Sequence, residues 1–260
     1  MPLTYSSYLK LDELLALQHP RSENPEHDEM LFIIIHQVYE LWFKETLHEL
    51  DYVQGLLASG DMPRILHTLK RILTILKTLV AQIDILETMT PVEFFSFRDH
   101  LESASGFQSF QFRELEFVLG FKDAGVVARF PEGSAGRQRL EARYQQPGLW
   151  DSFLHYLALE GYNIPQTLLS REASQSVQPS PEVQEILVDI YHHDPRTSQI
   201  CERLIDLDEG FQEWRYRHVK MVERTIGTQR GTGGSLGVKY LVETLFKPAF
   251  PDLWAIRTKL

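Results

Sequence analysis

Apolar residues recur every three to four positions along most of this 260-residue chain, the spacing of one buried helical face. The longest such stretch covers 24–60. Asn24-Pro25 reads as an N-cap followed by proline at the first helical position, and Glu26, Asp28 and Glu29 suit the positive end of the helix dipole. The run Leu31-Phe32-Ile33-Ile34-Ile35 resembles a strand in isolation, but the pattern continues without a break to Gly55, so length decides for a buried helix. A second helix is predicted over 63–87, joined to the first by only Gly60-Asp61-Met62, which makes the two an antiparallel pair. Thr90-Pro91-Val92-Glu93 is a capping box that starts a third helix reaching Leu101. Ser103-Ala104-Ser105-Gly106 breaks the pattern, and helix resumes over 107–119 until Gly120.

Beyond that point the pattern predicts a loop over 121–136 and short helices over 137–145 and 149–160. The polar stretch 170–181, with two prolines, reads as a mobile connection. Helices follow over 182–192 and 196–226, the latter ended by Gly227. A glycine-rich segment, 231–237, precedes a last helix over 238–246. No alternating strand run, internal repeat or linker is present, so one all-α domain spanning 1–260 is expected.

Composition narrows the class. Lys and Arg number 26 against 36 Asp and Glu, a formal charge of −10, which argues against a protein that tracks phosphates with a basic face. The single cysteine, Cys201, allows no internal disulfide and no multi-cysteine zinc site. The first residues lack a basic and then apolar leader, and no apolar run approaches a membrane span. A soluble cytoplasmic protein is the expectation.

Four places carry candidate chemistry. Phe32, His36, Tyr39 and Phe43 share one face of the first long helix; His36 there is either a core histidine bonded to a backbone carbonyl or a neutral imidazole that accepts a ligand's N–H. Arg98 follows Phe94-Phe95-Ser96-Phe97, where a guanidinium suits a carboxylate clamp, an ion pair with Asp99 or Glu93 being the plainer reading. His218 falls on a stripe with Phe211, Trp214 and Met221, which describes either plain core or the proximal side of a haem. The glycine segment lacks the Gly-Lys-Ser/Thr ending of a phosphate loop and no strand precedes it, leaving a capping turn or a closing loop whose Thr232 hydroxyl meets a ligand. A competing Glu-x-x-His step, Glu45 to His48, is half of a di-iron helical-bundle site and has no second copy.

Six ordered blocks then match a known family. They are Thr4-Tyr5-Ser6-Ser7-Tyr8-Leu9, the run from His27 to Gln37 followed by Tyr39-Glu40-Leu41-Trp42, Phe97-Arg98-Asp99, Ala104-Ser105-Gly106-Phe107-Gln108-Ser109, Trp214-Arg215-Tyr216-Arg217-His218, and Arg230-Gly231-Thr232-Gly233-Gly234-Ser235. In these the chain resembles the tryptophan 2,3-dioxygenase family. The resemblance implies a helical bundle around haem b, one per subunit, with His218 as the proximal iron ligand and His36 as the distal histidine that meets the indole N–H. It implies an indole pocket of Phe32 and Phe94, a substrate carboxylate on Arg98, an ammonium on Thr232 and a haem propionate, and a distal turn at Ser105 and Gly106 near bound ligand. Tyr5, Tyr8 and Leu9 correspond to an N-terminal segment, within 1–20, that closes the site of a neighbouring subunit in a homotetramer built as a dimer of dimers. Residues 227–237 correspond to a mobile active-site loop.

The implied reaction inserts both atoms of O2 across the C2–C3 bond of L-tryptophan, giving N-formyl-L-kynurenine. Two positions depart from the family pattern: Phe94, where some bacterial relatives carry Tyr, and Leu236, where a second Ser is frequent. They leave room for a related haem oxygenase acting on a substituted indole. The di-iron bundle remains as a more distant alternative.

Overall fold

The computed structural model describes residues 2–232 and 237–260, and among these the regular structure is helical throughout, with no strand. The helices are α1 (Tyr5–Leu9), α2 (Leu11–Leu14), α3 (His27–Ser59), α4 (Met62–Leu86), α5 (Pro91–Phe97), α6 (Phe110–Val118) and α7 (Ala124–Ala128). They continue with α8 (Ala135–Tyr144), α9 (Leu149–Leu159), α10 (Gln166–Leu169), α11 (Pro181–His193), α12 (Pro195–Ile226), α13 (Val238–Val242) and α14 (Pro251–Ala255).

Three long helices form the frame. At 1.5 Å per residue, the 33 residues of α3 and the 32 of α12 each extend about 50 Å. Helix α4 packs against both, and α6 and α9 cover the remaining flank of α3. Its apolar stripe, with Ile65, Leu69, Ile72, Leu79 and Ile83 all buried, meets Leu50, Val53 and Leu57 of α3 and Leu204 and Leu207 of α12. Local chemistry sets the ends. Asp194 accepts from the amides of Arg196 and Thr197 with Pro195 at the first helical position of α12, and Gly60 ends α3 at φ +71°.

Several predicted boundaries are corrected. Helix α3 begins at His27 with Glu26 as N-cap, rather than at Pro25 behind Asn24, because Glu29 turns its carboxylate back to accept from the Arg21 and Ser22 amides and ties the preceding residues into a bend. The predicted 107–119 helix splits: a 3-10 turn, Gly106–Gln108, precedes α6, whose start is capped by Ser109. The predicted loop over 121–136 contains α7 and the start of α8. The last predicted helix, 238–246, stops at Val242, and Phe246 takes φ +58° just ahead of Lys247-Pro248. The stretch 170–181 is irregular as expected, yet it is fastened: Arg171 pairs with Asp151, Ser176 donates to the Lys122 carbonyl, and the Ser180 amide donates to Asp252.

No helix among the described residues is long and apolar enough to cross a membrane.

Candidate active site

Among the described residues the frame encloses a cavity of about 240 Å³ between α3, α4, α5, α6, α12 and the chain that follows α12. His36, Arg98 and His218, three residues far apart in sequence, all line it, together with Phe32, Phe94, Ser105, Gly106 and Thr232.

His36 comes from mid-α3. Its Nδ1–H donates to the Phe32 carbonyl at 2.6 Å, the carbonyl being able only to accept. Burial holds the imidazole below its ordinary pKa, against the opposing pull of that bond and of Glu40, so the ring is neutral near pH 7 and Nε2 keeps its lone pair. The two readings of His36 are therefore compatible: one nitrogen is paired as in a core histidine, and the ring still opens on the cavity. Phe32 lies beside it with ring centroids 4.1 Å apart, and Phe32, Phe94 and Phe97 pack as a trio at 5.5 to 5.8 Å, with Phe97 edge-on to the other two.

His218 projects from α12 one turn beyond Trp214, whose indole lies parallel to the imidazole with centroids 5.1 Å apart. Burial pushes the His218 pKa down to about 4, with the nearby His36 and Arg113 charges adding to the effect. Among the described residues neither ring nitrogen has a hydrogen-bond partner. A neutral imidazole with a free lone pair, facing a largely apolar cavity, has the chemistry of a metal ligand.

Arg98 stands at the end of α5, where the helix tightens into the 3-10 turn Arg98–Leu101. Neither Asp99 nor Glu93 pairs with it; Glu93 completes the Thr90 capping box instead. Its guanidinium donates from Nη1 to the Gln229 side-chain oxygen and from Nη2 to the Arg230 carbonyl, both at 2.6 Å, above the Phe95 ring. The Thr232 hydroxyl donates to the Ala104 carbonyl, next to the Ser105-Gly106 turn. Of the expected loop over 227–237, positions 233–236, including Leu236, lie outside the described residues.

Sequence reasoning missed a buried charge cluster on the cavity wall. Glu116 of α6 accepts from Arg113 at 2.6 Å and from Arg215 of α12 at 2.7 Å. Arg215 is further stacked on Phe121 and Phe211 and donates to the Thr244 carbonyl. Arg113 spends one of its five N–H donors on Glu116, and the two guanidinium charges outweigh the single carboxylate. A buried surplus of positive charge beside a cavity suits an anionic group. The signal was available in Phe110-Gln111-Phe112-Arg113-Glu114-Leu115-Glu116, where charges three residues apart interrupt an apolar face.

Two further sets of residues lie away from this cavity. Tyr5, Tyr8 and Leu9 lie outside it, at 76%, 71% and 41% exposure on α1. Glu45 and His48 line no site: His48 is exposed, and among the described residues no three His, Cys, Asp or Glu side chains converge as metal ligands. The di-iron alternative loses its ligand set.

Comparison with known proteins places the chain in a family. The family model described as tryptophan 2,3-dioxygenase matches residues 1–134 and 166–260. A protein named tryptophan 2,3-dioxygenase from Herpetosiphon aurantiacus is 63% identical over 99% of this chain and 98% of its own length. Proteins of the same name from Anaeromyxobacter sp. and Caulobacter vibrioides are 57% and 44% identical, each over 99% of this chain and 96% and 98% of their own lengths. Five of the six sequence blocks contribute described residues to the cavity, and with similarity of that extent the chain belongs to the tryptophan 2,3-dioxygenase family.

Proposed function

We propose that this protein is a haem-dependent dioxygenase that adds both atoms of O2 across the indole C2–C3 bond of L-tryptophan and releases N-formyl-L-kynurenine. The observation that carries the reading is the convergence of His36, Arg98 and His218, each in a state suited to a different partner, on one largely apolar cavity. The donor set fits haem b: His218 offers an unpartnered nitrogen to the iron, apolar side chains suit the porphyrin, and Arg113 and Arg215 supply positive charge for a propionate. When bound, the haem supplies the dioxygen chemistry.

The protein's share is binding, orientation and exclusion of water. His36 Nε2 accepts the indole N–H; because an indole N–H is a very weak acid and the imidazole is neutral, the residue positions the ring rather than removing its proton. Phe32 and Phe94, packed against each other, offer their aromatic surface to the indole. Arg98 takes the substrate carboxylate and Thr232 the ammonium, while the Ser105-Gly106 turn borders the space left for O2. An aromatic slot with one anion-binding and one hydroxyl group describes a zwitterionic aromatic amino acid. Phe94 withholds the hydroxyl that a tyrosine would offer, so polar recognition of the substrate rests on His36, Arg98 and Thr232. Tyr5, Tyr8 and Leu9 are assigned to the site of a neighbouring subunit within a homotetramer, in keeping with their exposure on this chain.

The test is spectroscopic and chemical. Purified protein supplied with haem shows an intense Soret band that shifts when tryptophan is added to the reduced, CO-bound form, and His218→Ala abolishes haem retention. Product analysis yields N-formyl-L-kynurenine from L-tryptophan. Colourless active protein sinks the proposal, and turnover of indoles lacking the amino-acid group, with none of tryptophan, transfers it to the substituted-indole alternative.

A further inference from the structure

Both residues assigned to the zwitterion are already occupied from within the chain. Arg98 binds a carboxylate through two parallel N–H groups, and two such groups are in use here, one on the Gln229 amide oxygen and one on the neighbouring Arg230 carbonyl, each at 2.6 Å. Thr232 spends its hydroxyl on the Ala104 carbonyl. The segment from Gln229 to Thr232 thus spans from the carboxylate-binding residue to the rim of the distal turn. It leaves α12 at Gly227, where φ is +56°. Its position is closely packed: Gly237, at φ +59°, approaches so near that a Cβ there would lie 2.7 Å from the Gln229 carbonyl oxygen.

We propose that Gln229 is a specificity-determining residue: its side-chain oxygen stands in for the substrate carboxylate on Arg98, so that only ligands bearing a carboxylate displace it efficiently. The inference rests on the assignment of Arg98 to the substrate carboxylate. An amide oxygen is neutral, so it holds the guanidinium in place without a full ion pair and yields to an anion, which binds the same donors more strongly. An indole without a carboxylate gains nothing at Arg98 and leaves the internal contact closed. The net affinity for tryptophan is then the difference between two competing hydrogen-bond sets, and the identity of residue 229 sets that difference.

The experiment is anaerobic calorimetric titration of the ferric holoprotein with L-tryptophan and, separately, with tryptamine, which lacks the carboxylate. Gln229→Ala removes the side-chain competitor and is expected to tighten L-tryptophan binding by about fivefold, with tryptamine moving less than about twofold. Gln229→Glu turns the competitor into a carboxylate and is expected to weaken L-tryptophan by more than about tenfold, again sparing tryptamine. Equal haem content and melting temperature establish that the variants are folded. Unchanged or weakened L-tryptophan binding in Gln229→Ala, or parallel shifts for the two ligands, overturns the inference. If wild-type holoprotein binds no L-tryptophan, the proposed function falls with it; if the wild type binds and both variants match it, only the role of Gln229 falls.

Discussion

At the scale of single residues, the site depends on which atoms are left over after local bonding. His36 shows this most clearly: its Nδ1 is spent on the Phe32 carbonyl one turn back, which fixes the tautomer and leaves Nε2 for the cavity. Burial lowers its pKa, and this has a stability consequence of definite sign. An unfolded chain takes up a proton on this residue near pH 6.5, whereas the folded chain resists until a lower pH. Between those values the unfolded state binds more protons, so the group's contribution to stability falls as pH drops below about 6.5. Urea unfolding of haem-free wild type and His36→Leu at pH 7.5 and 5.0 is expected to show a larger acid loss in the wild type. Equal losses in the two proteins would remove the argument. The residue types were legible in the sequence, and so was the shared helical face of Phe32 and His36. The partner of Arg98 was not, because Gln229 lies 131 residues away and offers a neutral oxygen where a search among neighbouring acids finds only Asp99 and Glu93.

At the scale of elements, α12 serves both the cavity and the packing of the C-terminal segment: it carries His218, and ten residues earlier it carries Asp208. The Asp208 carboxylate is fully buried and accepts from the Ala249 and Phe250 amides and from the Trp254 indole N–H, docking the C-terminal segment and α14 onto the bundle. Asp208→Ala leaves two buried backbone amides and the part-buried Trp254 indole N–H unpaired and is expected to cost roughly 3 kcal/mol. Chemical denaturation measures the loss, and limited proteolysis should cut first within 247–260; a change under about 1 kcal/mol contradicts this account. The Thr90-Pro91-Val92-Glu93 capping box was readable because it acts locally, and the long helices were readable from their periodicity. Short ones were not. Helices α7, α10 and α14 span four or five residues each, too few for periodicity, and they exist because neighbouring surfaces hold them.

At the scale of the whole molecule, the N-terminal segment is the unfinished part of a single chain. Helices α1 and α2 bury no residue, and Leu3, Tyr5, Tyr8 and Leu15 are each more than 70% exposed. Helices of five and four residues do not persist alone in water, and a row of exposed apolar side chains calls for a covering surface. Deleting residues 2–20 is therefore expected to lower the mass of the assembly in light scattering and to weaken tryptophan binding by at least about tenfold if the segment seals a neighbour's site. An assembly of unchanged mass with unchanged affinity would refute the intersubunit role.

Helical class, the antiparallel pairing of α3 and α4, and the residue types available for chemistry were determined by the sequence itself, because periodicity, caps and short links act over a few residues. Which of those residues meet was decided by tertiary structure alone. The cavity joins positions 36, 98, 113, 218 and 232 from five separate stretches, and the pairing of Glu116 with Arg215 spans 99 positions. Burial, which neutralises both histidines, is a property of packed surfaces rather than of any local run of residues.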